Sequence, residues 1–156
     1  MTLLSGASSP PSSGVPDAGP GDSRSLPPVG EFSAFDGLQV EQVWVWSSLR
    51  LVFDVGPPGS PGSYIDLTEF EFTDPSGAAH SINVERDPVA AGVVLGVLHQ
   101  RVAKASVRDW TLTVEFDNGA RLTCPASEQW EAWQAQLPNE PVAIYAAGPG
   151  DPESPT

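Results

Sequence analysis

The stretch LTVEFDNGARLTC, Leu112 to Cys124, decides how the chain is read. Leu112, Val114 and Phe116 alternate with Thr113, Glu115 and Asp117, the period of a strand with one buried and one wet face. A two-residue Asn118-Gly119 loop would set Phe116 against Arg121 and Glu115 against Leu122, which mixes the faces. A three-residue loop, Asp117-Asn118-Gly119, sets Val114 against Leu122, Leu112 against Cys124, Glu115 against Arg121 and Thr113 against Thr123. Every pair then matches in character. The spacing therefore predicts a hairpin with Gly119 left-handed in a G1 bulge.

Working outward, Val40–Trp46 and Leu49–Val55 read as strands, rich in β-branched and aromatic residues and parted by Ser47-Ser48. Trp44 and Trp46 share one parity and Val43 and Val45 the other, so the first strand is apolar on both faces. One side must meet a second layer, a ligand or a partner. Gly56–Gly62 holds three prolines and three glycines and excludes a regular element. Tyr64–Asp74 is a further strand whose pattern slips, with Ile65 and Leu67 on one parity and Phe70 and Phe72 on the other. A bulge or bend is expected at Thr68-Glu69. Asp74-Pro75-Ser76-Gly77 is a turn, and His80–Val84 returns.

Asp87-Pro88 has the chemistry of a helix start, and the apolar run to Leu98 predicts a buried helix. Gly92 and Gly96 give it a small-residue face for close approach to the sheet. Arg101–Val107 and Trp110–Asp117 are strands. Ser127 can cap a second helix, in which Trp130, Trp133 and Leu137 recur at i, i+3 and i+7 until Pro138 stops it. Val142–Ala146 reads as an edge strand. The order predicts an α+β fold: a mostly antiparallel sheet of about seven or eight strands with two short helices.

The flanks differ in composition. Residues 1–30 contain six Pro, five Gly and seven Ser, so residues 1–35 read as a disordered segment and 148–156 as a disordered tail. Residues 36–147 form a single domain. The formal charge is −13, and between 31 and 136 there are 15 acids against six bases. The acidity belongs to the folded part. It argues against a nucleic-acid grip, which needs clustered Lys and Arg. The start has no basic n-region with about 7–15 apolar residues behind it, and the longest apolar run is about half a bilayer span. A cytoplasmic protein that engages no membrane is expected.

Leu112–Trp133 resembles an uncharacterised family of small bacterial domains, common in actinobacteria. Those domains end in an L-x-L-x-F-D-x-G-x-x-L-x-V-P hairpin followed by a short Y-E-x-W helix. Here Trp130 stands where the pattern has Tyr. The resemblance implies a fold and no activity. Some domains of this size and style accompany polymorphic toxins as immunity proteins, an analogy only.

No nucleotide loop, nucleophile elbow or cofactor motif is present in the sequence. His80 and His99 read as surface or capping residues rather than metal ligands. Cys124 lies on the core face; a reactive thiolate would need a basic neighbour or a helix start, and the Ser127 helix is near. The carboxylates remain: Asp54, Asp66, Glu69, Glu71, Glu115 and Asp117, spread over several strands. They read as a solvated sheet face or as a patch that docks a cationic partner, since catalytic use requires a pair converging in a cleft. The expectation is a non-enzymatic interaction domain of the immunity type that binds a basic protein, without cofactor or metal. The alternative is a small ligand-binding or hydrolytic domain with a pocket between helix and sheet. A structural domain with no discrete site is the third reading.

Overall fold

The computed structural model describes residues 29–54, Pro58, 62–138 and 144–145. The segment before Val29, the tail 148–156, most of the Gly56–Gly62 loop and the ends of the expected 142–146 strand lie outside the described residues.

Ten strands form two five-stranded sheets, and every strand pair is antiparallel. They are β1 (Gln42–Val45), β2 (Leu49–Asp54), β3 (Ser63–Leu67), β4 (Glu69–Thr73), β5 (Ala79–Asn83), β6 (Val102–Arg108), β7 (Thr111–Phe116), β8 (Arg121–Cys124), β9 (Trp133–Gln136) and β10 (Ile144–Tyr145). Sheet I runs β1-β2-β3-β9-β10 and sheet II runs β5-β4-β8-β7-β6. Two 3₁₀ helices complete the described residues, Val29–Phe35 and Pro88–Val97. The antiparallel α+β expectation holds in outline. The strand and helix counts do not.

The hairpin register is the one that side-chain matching predicts. Leu112 faces Cys124, Val114 faces Leu122 and Glu115 faces Arg121, with Gly119 at φ 93°. The parity slip at Thr68-Glu69 has a larger meaning than a bulge. Thr68 carries the chain from the third strand of sheet I into the second strand of sheet II. Ile65 and Leu67 therefore enter the shared core from one sheet, Phe70 and Phe72 from the other.

The second expected helix, from Ser127 to Leu137, is absent. Residues 125–132 have no helical structure, and Trp133–Gln136 is a strand laid beside β3, with Ile65 opposite Ala135 and Leu67 opposite Trp133. The segment W-Q-A-Q also alternates with period two. The free edge of β3 offers its backbone a complete ladder, and tertiary pairing overrides helix propensity. The first expected helix is in place but is a 3₁₀ helix. Asp87 makes no side-chain cap, and Gly92 and Gly96 disfavour an α-helix.

The folded region begins before Asp36, because Phe32 and Phe35 are fully buried. Phe32 packs edge-on against Trp133 (centroids 5.5 Å apart) and Phe35 lies 5.2 Å from Phe53. Burying each phenylalanine contributes about 1.5–3 kcal/mol. The segment is pinned to β6: Ala105 N–H donates to Asp36 Oδ1 at 2.9 Å, and Arg101 Nη1 donates to the Gly37 carbonyl at 2.8 Å.

Candidate interaction site

On β4, Glu69 and Glu71 alternate with the buried Phe70 and Phe72, so both carboxylates stand on the outer face of sheet II. Across β5, Glu71 faces Ser81 and Glu69 faces Asn83. The Ser81 hydroxyl donates to the Glu71 carboxylate. Beside them β8 ends at Pro125, which lacks the N–H needed to continue the ladder. The chain lifts off the sheet there. Ser127 Oγ accepts from the Gln129 N–H at 3.0 Å and turns it. It returns only as β9.

Residues 125–132 thus raise a wall beside β4 and β5. Between wall and sheet lies a cleft of about 410 Å³, lined by Glu69, Glu71, Ser81, Arg86, Ser127 and Trp130 among others. Trp130 is 40% exposed. A shallower depression of about 310 Å³, which Trp130 also lines, holds Thr68, Glu85 and Glu131. One half-exposed indole therefore borders two depressions that between them hold four carboxylates and one base, Arg86. An indole face attracts Lys or Arg side chains through its quadrupole, and carboxylates add charge-assisted hydrogen bonds.

The six carboxylates singled out in the sequence are not brought together. Glu69 and Glu71 line the cleft. Glu115 shares their face but stands on β7, level with Lys104 and Arg121. Lys104, Arg108 and Arg121 line a concavity of about 530 Å³ on the same face. The outer face of sheet II is therefore divided, acidic at β4 and mixed toward β6, where these three bases stand with Glu115 and Asp109. Asp117 is exposed at the start of the β7–β8 loop, and Asp54 is exposed at the end of β2. Asp66 is on the other sheet, where it accepts from Arg50 Nε and Nη2 at 2.6 and 2.8 Å. That pairing raises the Arg50 pKa.

Glu85, Glu131 and Arg86 are the site residues that the sequence does not single out. The spacing expects Trp130 on a helix stripe facing the core, whereas it stands exposed on the wall. The signal for its exposure was Pro125, which ends the ladder and frees the wall.

Cys124 is buried, and its thiol lies 3.3 and 3.4 Å from the carbonyl oxygens of Glu69 and Ala132, either of which can accept its one proton. Burial, followed by the Glu69 charge, pushes its pKa up to about 12, the opposite of what a nucleophile needs. Among the described residues no group of three or more His, Cys, Asp and Glu is placed to hold a metal ion. His80 Nε2 lies 3.0 Å from Asp74 Oδ2 in the β4–β5 turn. No helix among the described residues is long and apolar enough to cross a membrane.

A family model matches residues 33–150, which span the strands, the wall and the cleft. The chain belongs to the DUF6188 family, a family of unknown function. The match takes in Phe35, the first core aromatic to fall inside it, and every strand of both sheets. The cleft at Trp130 is therefore part of the DUF6188 domain itself. No curated protein and no solved structure matches the chain.

Proposed function

We propose that this DUF6188 domain is a non-enzymatic interaction module that captures a basic protein at the Trp130 cleft. The observation that carries the reading is the half-exposed Trp130 bordered by Glu69, Glu71, Glu85 and Glu131. The charge of −13 steers a cationic partner inward and raises its association rate. Trp130 then supplies the anchor, the residue type that most often dominates binding energy. An immunity-type role fits this surface: the domain masks a basic toxin such as a nuclease inside the cytoplasm of its host, an actinobacterium by the sequence resemblance.

The test uses a Lys/Arg-rich peptide as probe, titrated against the full chain by tryptophan fluorescence. Affinity should fall steeply with ionic strength, and should fall again in Trp130→Ala and in Glu69→Gln/Glu71→Gln. An affinity that is the same at low and high salt removes the proposal.

A second reading draws on the same cleft. Its volume of about 410 Å³ lies within the usual range for small-ligand sites. A small organic cation held between Trp130 and Glu71 is then the ligand class, and it would bind without the steep salt dependence of a protein partner.

A further inference from the structure

The outer face of sheet I presents a different surface. Arg50, Asp66 and Gln134 form one row across it, continuing Trp44 on β1. The Arg50 guanidinium lies 3.8 Å from the Tyr64 ring centroid and 5.5 Å from those of Trp44 and Trp46. Trp44 Nε1 donates to Gln42 Oε1 at 2.7 Å. Yet Trp44 and Trp46 are 48% and 46% exposed. The rings are held in place without being covered, and Trp, Tyr and Arg are the residue types enriched at binding hot spots. Rings already fixed lose little freedom on association.

Charge narrows the choice of partner. The single base of this row, Arg50, is paired with Asp66. The row is therefore neutral in a chain of net −13, and two copies meet here without the like-charge repulsion that opposes contact elsewhere.

The edge supplies the geometry. Among the described residues β1 is the margin of sheet I: the edge is paired at Val40, which exchanges backbone bonds with His99 and Gln100, but not along Q-V-W-V, which has no charge and no proline, the usual guards of a sheet edge. Trp46 N–H donates inward to the Ser48 carbonyl at 2.9 Å. The alternation of an antiparallel ladder then turns the backbone groups of Val43 and Val45 outward.

We infer that β1 pairs with β1 of a second copy, antiparallel about a two-fold axis at Trp44. Val43 exchanges backbone hydrogen bonds with Val45 of the second copy, and the reverse. Trp44 faces its own counterpart across a non-hydrogen-bonded pair, the closer of the two pair types. The two five-stranded sheets become one, and the four exposed indoles of the two copies merge into one patch. None of the residues that pair across this interface lines the larger Trp130 cleft.

Sedimentation of the full chain across a dilution series tests it. The expected species has twice the 16.4 kDa chain mass, and added salt, which screens the repulsion between two acidic chains, does not dissociate it. Val45→Pro removes an outward N–H only, and Trp44→Lys sets two like charges across the axis. Each should weaken the dimer by about tenfold or more while the circular dichroism of the diluted monomer stays unchanged. The Val43 and Val45 amides of the unmodified chain should gain protection from hydrogen exchange as concentration rises. A monomer at every concentration overturns the inference. So does a dimer that dissociates with salt, one that Trp44→Lys leaves intact, or unprotected Val43 and Val45 amides.

Discussion

The indole N–H of Trp133, on β9 of sheet I, donates to the carbonyl oxygen of Trp110, in the β6–β7 turn of sheet II, at 3.0 Å. The two rings lie 6.5 Å apart. Asp109 and Trp110 both have positive φ, 50° and 61°, the backbone of a type I′ hairpin turn, which ordinarily takes Asn-Gly. The bond from Trp133 and the ring contact offset the cost of placing a bulky residue there. Trp133→Phe should lower stability by about 2–3 kcal/mol, from lost volume and the lost indole N–H bond. Asp109→Asn should raise it by a few tenths of a kcal/mol, because Asn tolerates the left-handed region better. Urea denaturation of both variants measures the two effects.

Gly119 has φ 93° and open space where a Cβ would stand. Gly119→Ala should cost about 1 kcal/mol from backbone strain alone, read as a fall of several degrees in Tm. Gly92 also faces open space but sits in the second 3₁₀ helix at negative φ. Gly92→Ala should leave the Tm unchanged or raise it slightly.

Asp74 accepts from the Ser76 N–H and hydroxyl and from the Ala78 N–H, with His80 beside it. The His80 contact, then the Ser76 hydroxyl, hold its carboxyl well below the usual 3.8. A depressed carboxyl stabilises the fold above its unfolded pKa, and the benefit is lost as pH falls toward the folded one. Asp74→Asn should therefore melt below the unmodified chain near neutral pH. The gap should narrow progressively once pH drops under 3.8. A gap that stays constant through that window would assign the effect to geometry rather than charge.

Cys124 should resist thiol reagents at pH 8, since it is buried and its pKa stands at about 12. Labelling should follow the rate of global unfolding and accelerate with denaturant. Fast labelling of the native chain would show an opening at the β8 end of the cleft.

Three of the four strand pairs of sheet II were legible because they join neighbours in the chain, whereas β4 meets β8 across 48 or more residues (Thr73 to Arg121). The β7–β8 register follows from matching thirteen residues, and the Asp74–Gly77 turn follows from its residue types, with Gly77 N–H donating to the Asp74 carbonyl at 2.9 Å. Sheet I was less so. β9 finds β3 across 66 or more residues of chain (Leu67 to Trp133), and nothing in W-Q-A-Q names that partner. The spacing of Trp130, Trp133 and Leu137 fits a helix stripe equally well until the vacant β3 edge decides. The candidate site shared this fate. Glu69 and Glu71 were visible as wet positions of a strand, but Trp130, Glu85 and Glu131 meet only because the wall stays unhelical. Trp110 reads as the first residue of a strand but lies in the turn before it, since a tryptophan at positive φ has no sequence signature.

Thr68 joins the layers at their interior rather than at a rim: β3 is the middle member of one sheet, and β4 lies inside the margin of the other. At this junction one residue carries tension from either layer into the other. The layers cannot peel apart as separate leaves, so mechanical or thermal rupture should proceed as one event.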